Sequence, residues 1–440
     1  MECAPWGTLN PAVDTRLDVT ITKQTSETEQ GVLVNTTELV FYKLCFSCCV
    51  TLALLLLIEL TSTAILRIKG SPHGDKPLPN ESSVYKSTKW GEQFWKENYE
   101  AGRFVYEPYV VWKQLPYTGS TLNIDSNLQR RTVGSECSDA SYTIWMFGGS
   151  TMWGAGSPDW GTIPSQLAGI LSRAGKSSCV ENFAQTGWRN TQELIELELQ
   201  LKRAAKKPNL VVFYDGYNDG YSFYQSGQLD THLNYDRIRE EMERPSRPRR
   251  LGFVADFLLS THTARLITGA QSPRSLIEGF AVPLPPIPTV EGAKRDLQIS
   301  YLDNLDIVDA LSKEYGFQYA WFWQPVIFAG HKPLTQEEQK IFTAYSKGIY
   351  ETDLEYKAME QVFRAGGRPH LFDISDTFDH CTQTVYVDYV HVSPQGNQLV
   401  AQRMFALLQE KGWLPISETR ERRPTEQTTS ALASESSQSN

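Results

Sequence analysis

The sequence predicts an α/β fold in which helices cover both faces of a central parallel sheet, preceded by a transmembrane helix. Three observations favour this fold. Short apolar runs alternate with amphipathic stretches through the middle of the chain. One of these runs, at residues 210–214, is apolar throughout, as a buried parallel strand is. A separate apolar run near the N-terminus is long enough to cross a bilayer.

The composition excludes several classes of protein. The chain has 440 residues with 42 Lys and Arg against 51 Asp and Glu, a formal net charge of −9. An acidic chain lacks the basic face that nucleic-acid binding needs, so we expect no nucleic-acid partner. Seven cysteines without paired CxxC motifs at zinc-ligand spacing do not form a disulfide scaffold or a zinc module. We expect neither a metal nor a cofactor.

The two ends of the chain differ from its middle. Residues 1–43 show no sustained apolar period and predict a disordered arm, and residues 416–440 are a polar segment that predicts a disordered tail. Between them, Leu44 to Leu66 is a run of 23 residues with Glu59 as its one charge. At about 1.5 Å per residue this run spans a hydrocarbon core of about 30 Å. It predicts a single-pass membrane anchor, with a buried core helix as the alternative.

The alternation itself predicts the following elements, which we assign to one domain at residues 142–415. Strands are predicted at 142–147, 179–183, 210–214, 317–323 and 371–374, and helices at 161–174, 190–205, 296–315, 335–364 and 395–408. Strands that alternate with helices pair in parallel through right-handed crossovers.

Two regions do not follow the alternation. Residues 67–141 are rich in aromatic residues, which suits either an extension packed on the sheet domain or a patch that stacks on glycans or a membrane surface. Residues 225–295 form an insertion that contains an apolar stretch, Leu251 to Ile267. The insertion is interpreted either as a lid or membrane-facing helix or as a solvated loop.

Three of the predicted strands are followed by residues that suit a catalytic site. Ser150 lies in the small-residue turn Phe147-Gly-Gly-Ser-Thr-Met-Trp-Gly154 after the first strand, Gly187 follows the second strand, and Asn218 follows the third. Because the carboxyl ends of parallel strands meet at one edge, we expect these residues to lie close together. Each has an ordinary alternative, since glycine-serine loops are common and Asn beside Gly is typical of turns.

Asp388 and His391 stand three residues apart just before the last predicted helix. At this spacing the carboxylate can hold the imidazole tautomer and stabilise its cation while His391 takes a proton from Ser150. A lone histidine is more often structural. The ordered set at successive strand ends, however, indicates nucleophilic catalysis.

This ordered set resembles the SGNH, or GDSL-type, hydrolase family over roughly residues 140–412, with the insertion set aside. The resemblance implies a flavodoxin-like α/β/α domain that hydrolyses esters without a metal. Gly149 stands where the family name has Asp, and the Gly-Gly-Ser-Thr form is similar to a branch among membrane-tethered and exported members. The resemblance implies a catalytic triad of Ser150, Asp388 and His391. It also implies two oxyanion-hole donors, Gly187 and Asn218.

We therefore expect a serine esterase that hydrolyses an acyl ester on a carbohydrate or a lipid through an acyl-enzyme. An O-acyltransferase would use the same site and differ in its product, an acylated sugar. A non-catalytic binding module would instead use the aromatic region. A dinucleotide-binding domain is disfavoured because the run GGSTMWGAG does not match GxGxxG.

Two observations point to opposite sides of the membrane for the large C-terminal domain. Only Lys43 is basic in the twenty residues before the span, whereas four basic residues follow it closely: Arg67, Lys69, Lys76 and Lys86. The positive-inside rule would place the large domain in the cytosol. The chemistry that the resemblance implies usually acts on exported substrates, and we expect an extracytoplasmic catalytic domain.

The cysteines of the predicted soluble part are Cys137, Cys179 and Cys381. Because Cys179 falls in a predicted buried strand, we expect reduced core thiols. A bridge between Cys137 and Cys381 is the alternative, and it would favour an exported domain.

Overall fold

The computed structural model describes residues 27–69, 77–138, 142–176, 178–226, 228, 230–243, 261–268, 290–346 and 368–414. They fall into two compact units. One lies within residues 1–72 and 247–280, and the other within residues 73–246 and 281–440. The predicted tail and most of the predicted insertion lie outside the described residues.

The first unit contains helix α1, Glu27–Lys69, and the short helix α9, His262–Thr268. Within α1, Glu38–Ile65 is long and apolar enough to cross a membrane by length and composition. The helix begins at Glu27, so residues 27–43 of the predicted arm are helical, while residues 1–26 lie outside the described part.

The second unit is built on a five-stranded parallel sheet, which confirms the predicted fold class. The strand order is β6-β5-β7-β8-β9, so the first sheet strand lies between the second and the third as in flavodoxin-like folds. The strands are β5 Thr143–Gly148, β6 Cys179–Asn182, β7 Leu210–Asp215, β8 Gln318–Trp323 and β9 Leu371–Asp373.

Side chains that alternate along the strands build a core on each face of the sheet. From β7, Leu210 and Val212 enter one core, and Val211 and Phe213 enter the other. Every residue of β5 and β7 is buried, because helices cover both faces. Burial on both faces of the sheet therefore explains why these strands are continuous apolar runs in the sequence.

The helices flank the sheet in two layers. Leu167 and Met404 are helix residues of one core, and Leu197 and Leu305 are helix residues of the other. The helices that connect or follow the sheet strands are α4 Ser150–Trp153, α5 Ile163–Arg173, α6 Asn190–Arg203, α7 Tyr217–Ser226, α8 Tyr235–Glu243, α10 Val290–Tyr315, α11 Gln336–Ser346 and α12 Pro394–Glu410. The end of the predicted helix 335–364 lies beyond the described residues.

The aromatic region before the sheet is packed onto it. Tyr85 and Phe94 are buried in the same core as α5, and the Tyr85 hydroxyl donates to the carbonyl of Gly156 at 2.7 Å. The region contains helices α2 Ser83–Lys86 and α3 Gly91–Ala101 and the hairpin strands β1 Phe104–Glu107, β2 Val111–Gln114, β3 Tyr117–Thr118 and β4 Asn123–Ile124.

The carboxylate of Glu97 ties α3 to the β3–β4 turn. It accepts hydrogen bonds from three consecutive backbone N–H groups, those of Ser120, Thr121 and Leu122. Burial acts to raise the pKa of Glu97, but the hydrogen bonds outweigh it and bring the pKa down to about 2. The charged carboxylate thus fixes the turn by accepting from its backbone N–H groups, as an N-cap side chain does at the start of a helix.

The expectation of reduced thiols is wrong for two of the three cysteines. Cys137 and Cys179 form a disulfide, and Cys381 is a free thiol. The reason is that the segment before β5 runs beside the edge strand β6. Glu136 N–H donates to the carbonyl of Ser178 at 3.3 Å, which brings the chain alongside Cys179. The alternative bridge to Cys381 is not formed.

We expect the disulfide to be measurable by thiol counting. In the denatured full-length chain, reduction should expose two more maleimide-reactive thiols than are present before reduction, because one bridge opens. The Cys137→Ser variant should gain none on reduction. Equal thiol counts before and after reduction of the wild type would contradict the bridge.

Candidate active site

Ser150 stands at the carboxyl end of β5, as the first residue of helix α4. At that position its backbone N–H has no acceptor within the helix. Gly149 before it has no room for a side chain, because a Cβ there would overlap the amide nitrogen of Asn218 and stand 3.0 Å from the carbonyl of Trp188. This close approach explains why glycine, and not Asp, precedes Ser150.

Ser150, His391 and Asp388 are joined by two short hydrogen bonds. His391 Nε2 lies 2.7 Å from Ser150 Oγ, and His391 Nδ1 lies 2.7 Å from Asp388 Oδ2. The other carboxylate oxygen of Asp388 accepts from the backbone N–H of His391 at 2.7 Å and of Val390 at 2.9 Å. The carboxylate therefore fixes the loop and the imidazole together. In this arrangement Nδ1 carries a proton toward Asp388, and Nε2 faces the serine as a base.

The charges of the pair shift both pKa values. Burial acts to raise the pKa of Asp388, but the neighbouring His391 and the backbone hydrogen bonds outweigh it and lower the pKa. Burial acts to lower the pKa of His391, but the carboxylate of Asp388 outweighs it and raises the pKa above its usual 6.5. Asp388 is therefore ionised at neutral pH, and it stabilises the imidazolium that forms when His391 accepts a proton.

A second buried carboxylate, that of Glu338 on α11, holds the chain that leads to Asp388. Its Oε1 accepts from the backbone N–H groups of Val385 and Tyr386 at 3.0 and 3.1 Å. Its Oε2 accepts from the ammonium group of Lys332 at 2.8 Å. Breaking a buried pair of this kind typically costs about 3–5 kcal/mol, because a charge is left unpaired. The position of the loop is thus fixed from outside the site.

Asn218 lies close to Ser150, and Gly187 lies in a neighbouring turn. Ser150 and Asn218 line one small cavity at the ends of β5 and β7. One amide hydrogen of Asn218 is donated to the carbonyl of Trp188 at 2.6 Å, which leaves its second amide N–H available. Gly187 has φ of +77° and does not line that cavity. A Cβ there would meet Trp112 and Leu233 at ordinary contact distances.

Two buried acids, Asp215 and Glu193, lie near the turn that follows β7. Asp215 accepts hydrogen bonds from the Tyr301 hydroxyl at 2.5 Å and from the Trp321 indole N–H, and Glu193 is a second buried acid near it. Burial raises the pKa of Asp215 and of Glu193, and each also carries the repulsion of nearby acids. Burial and the repulsion between these acids both disfavour the charged forms, so ionisation of the second acid is opposed once the first is charged.

Asp219, the next acid, is balanced by a cation. Its Oδ1 accepts from Arg189 Nε at 3.2 Å and from the backbone N–H of Asn190 at 3.1 Å. Arg189 and Asp219 are both almost completely buried. This ion pair joins the start of α6 to α7, the helix that carries Asn218. Across the described residues, no group of three or more His, Cys, Asp or Glu side chains is placed to hold a metal ion.

Two residues at the site, Gln324 and Trp112, were not predicted from the sequence. Gln324 follows β8, lines the cavity with Ser150 and accepts from the Thr151 hydroxyl at 2.8 Å. Its position after the fourth strand is the same signal that pointed to Asn218. Trp112 of β2 donates from its indole N–H to the carbonyl of Thr186 at 2.9 Å, and so supports the turn that contains Gly187. That contact joins residues 74 apart and has no sequence pattern.

Comparison with known proteins gives distant structural similarity. No protein-family model matches the chain, and no curated protein matches it. Similar solved structures include a lipolytic protein of the G-D-S-L family from Veillonella parvula, with 12% identity over 61% of this chain and 99% of the other and a TM-score of 0.33. The esterase EstA from a Pseudoalteromonas species has 12% identity over 62% and 98% of the two chains, also with a TM-score of 0.33. An acetyl-xylooligosaccharide esterase from Geobacillus has 12% identity over 63% and 98%, with a TM-score of 0.29. Because these values are low, the site rests on the geometry of this chain alone.

We expect the reactivity of Ser150 toward a fluorophosphonate to depend on pH through His391. The imidazole accepts the serine proton only when it is neutral, and Asp388 raises its pKa. The labelling rate should therefore fall as the pH drops through a midpoint above 6.5. In the Asp388→Asn variant the burial that lowers the pKa acts unopposed, so the midpoint should move down. The plateau rate should fall by about 10⁴, as for other triads.

The control is Asp376→Asn, an exposed acid whose nearest basic group, on Arg403, lies 3.8 Å away. It should leave the pH profile of labelling unchanged. A wild-type rate that is independent of pH between 5 and 8, or a midpoint that stays in place in Asp388→Asn, would contradict the assigned role of Asp388.

Proposed function

We propose that the chain is a membrane-anchored serine esterase that hydrolyses an acyl ester through a covalent acyl-enzyme. One observation carries the proposal, namely the continuous hydrogen-bonded line from Asp388 through His391 to Ser150, with both distances at 2.7 Å. A serine hydroxyl is a weak nucleophile at neutral pH, and an oriented imidazole is the usual means of activating it.

In the first half of the reaction, Ser150 Oγ attacks the carbonyl carbon of the ester while its proton moves to His391 Nε2. Asp388 stabilises the resulting imidazolium. The tetrahedral intermediate collapses when its bond to the alcohol oxygen breaks, and His391 returns the proton to that oxygen. The products of this half are the free alcohol and an acyl group on Ser150.

The negative oxygen of the intermediate needs hydrogen-bond donors. The backbone N–H of Ser150 and the second amide hydrogen of Asn218 are available beside the cavity. Gly187, the other donor that the family resemblance implies, lies in the adjoining turn outside that cavity, so we assign the role to Ser150 and Asn218. Such donors act where the charge develops, and each is typically worth about 10²–10³-fold in kcat.

In the second half, a water molecule attacks the acyl group while His391 takes a proton from the water. The intermediate breaks at the Ser150 oxygen, and the proton returns to that oxygen. This releases the carboxylic acid and restores the enzyme. The anchor would keep the enzyme beside membrane and surface esters, so we assign the acyl ester to a carbohydrate or a lipid.

We also assign the domain to the extracytoplasmic side of the membrane. The disulfide between Cys137 and Cys179 supports this side, because such bonds persist in oxidising compartments and are rare in the cytosol. It outweighs the basic residues that follow the span, since long translocated domains are little affected by loop charge.

The proposal is tested first by labelling full-length protein in detergent micelles with a fluorescent fluorophosphonate. Wild type should be labelled, and Ser150→Ala should not, because the probe reacts with an activated serine. The matched control is Ser172→Ala, which changes an exposed serine of α5. Equal labelling of Ser150→Ala and wild type would refute Ser150 as the nucleophile.

The oxyanion role of Asn218 is tested by steady-state hydrolysis of p-nitrophenyl acetate. Asn218→Ala should lower kcat by about 10²–10³ and change KM little, because the lost hydrogen bond forms mainly in the transition state. Asn127→Ala, at an exposed turn position, is the control and should keep the wild-type kcat. A kcat for Asn218→Ala within twofold of wild type would remove Asn218 from the oxyanion hole.

A further inference from the structure

Glu59 is an ionisable residue inside an otherwise uncharged apolar helix. It is the one charged side chain between Leu44 and Leu66, and it lies within the part of α1 that could cross a membrane. Ionisable residues are rare in membrane spans, and where they occur they have a partner or a function. The proposed esterase chemistry makes no use of Glu59.

The structure gives Glu59 a partner in the first unit, at the start of α9. Oε1 accepts from the backbone N–H of His262 at 2.6 Å and lies 2.9 Å from its Nδ1. Oε2 accepts from the backbone N–H of Thr263 at 3.0 Å and from its hydroxyl at 2.7 Å. Both carboxylate oxygens are thus engaged by two consecutive residues of the insertion.

The contact extends along one polar face of α1. Ser62 and Thr63 lie three and four residues after Glu59, so the three share one side of the helix. The Thr263 hydroxyl, whose proton goes to Glu59, also lies 3.1 Å from Ser62 Oγ. Ser62 is 4% exposed, whereas the apolar side chains of Leu54 to Ile58 are about half exposed or more. This face of the span is therefore the covered one.

The depth of the contact follows from helix geometry. The midpoint of the apolar run is Leu55, and Glu59 lies four residues further on, about 6 Å along the axis. In a hydrocarbon layer of about 30 Å it is then about 9 Å below the nearer surface. At that depth the first N–H groups of α9 find no water and need a protein acceptor. Glu59 supplies one, and α9 in turn satisfies the carboxylate.

We propose that the insertion returns to the membrane at α9 and docks on the polar face of α1 inside the hydrocarbon layer. The partner of this unit is therefore lipid, whose acyl chains surround α1 and α9 together. Ala264 and Leu266 are apolar residues of α9, and both are partly buried in the structure. The chain is held in the bilayer by two elements and not by one.

The contact is tested by a disulfide between introduced cysteines. The full-length chain would first have its free cysteines replaced by serine, and a protease site would be placed within residues 244–250. After oxidation in proteoliposomes and cleavage, Ser62→Cys with Thr263→Cys should hold the two fragments together on a non-reducing gel. The control pair, Thr51→Cys with Thr263→Cys, should not, because Thr51 lies eleven residues before Ser62, about 16 Å along the axis of α1. Equal linkage in the two pairs would overturn the docking.

The depth is tested by a membrane-impermeant maleimide present on both sides of the vesicles. Leu266→Cys should react at least tenfold more slowly than Ser172→Cys, an exposed site in the second unit, and at an equal rate in SDS. Leu55→Cys is the reference for a position inside the layer and should be protected in the same way. Rapid labelling of Leu266→Cys would overturn the proposal in favour of a solvated insertion. Rapid labelling of Leu55→Cys would also overturn it, because α1 itself would then lie outside the hydrocarbon layer.

The role of Glu59 itself is tested in the Leu266→Cys background. Glu59→Leu removes the acceptor of the His262 and Thr263 backbone N–H groups, so labelling of residue 266 should rise severalfold. Thr51→Leu is the control and should leave the labelling rate unchanged. Unchanged protection in Glu59→Leu would show that Glu59 does not hold α9 in the layer and would overturn the proposed contact.

Discussion

The hydrogen bond between His391 Nε2 and Ser150 Oγ joins two residues that are 241 positions apart, and the geometry of the site depends on it. Its two ends are fixed independently. Ser150 is held by the turn from β5 into α4, which has buried residues on all sides. His391 is held by Asp388 within its own loop and, through the preceding residues, by Glu338. Each end of the 2.7 Å bond is therefore positioned by contacts of its own.

Two acids near the site have pKa values shifted in opposite directions, since the pKa of Asp388 is lowered and that of Asp215 is raised. Asp388 works as an anion, and it is kept so by backbone N–H groups and by the imidazole. Asp215, at the end of β7, is surrounded by two neutral donors and two other acids, which favour a shared proton. The cation of Arg189 offsets the charge of Asp219 next to it. The charge that would develop in the proposed acyl transfer would therefore be met by donors, and not by a nearby excess of negative charge.

The sequence was sufficient for the features that arise from local pattern. The central strands β5 and β7 are largely apolar because both faces of the sheet are buried there, and turn residues follow them. Ser150 and Asn218 could therefore be placed at one edge. Glu338 and Trp112 could not be found in this way, since each acts through contacts with distant backbone. The pairing of Cys137 was also inaccessible, because it depends on a loop that lies beside the edge of the sheet and has no periodicity of its own.

That loop has a further consequence. β6 is an edge strand, with β5 as its single neighbour in the sheet. An exposed edge presents unpaired backbone groups to which a strand of another molecule can add. Here Val180 N–H is taken by the hydroxyl of Ser135, the carbonyl of Ser178 by Glu136 N–H, and the Cys137–Cys179 bridge binds the covering segment to the strand. The disulfide thus helps to keep the edge of β6 covered, so that a strand of another molecule cannot pair with it. In a reducing compartment the disulfide would open, and only hydrogen bonds would hold the covering segment on the edge.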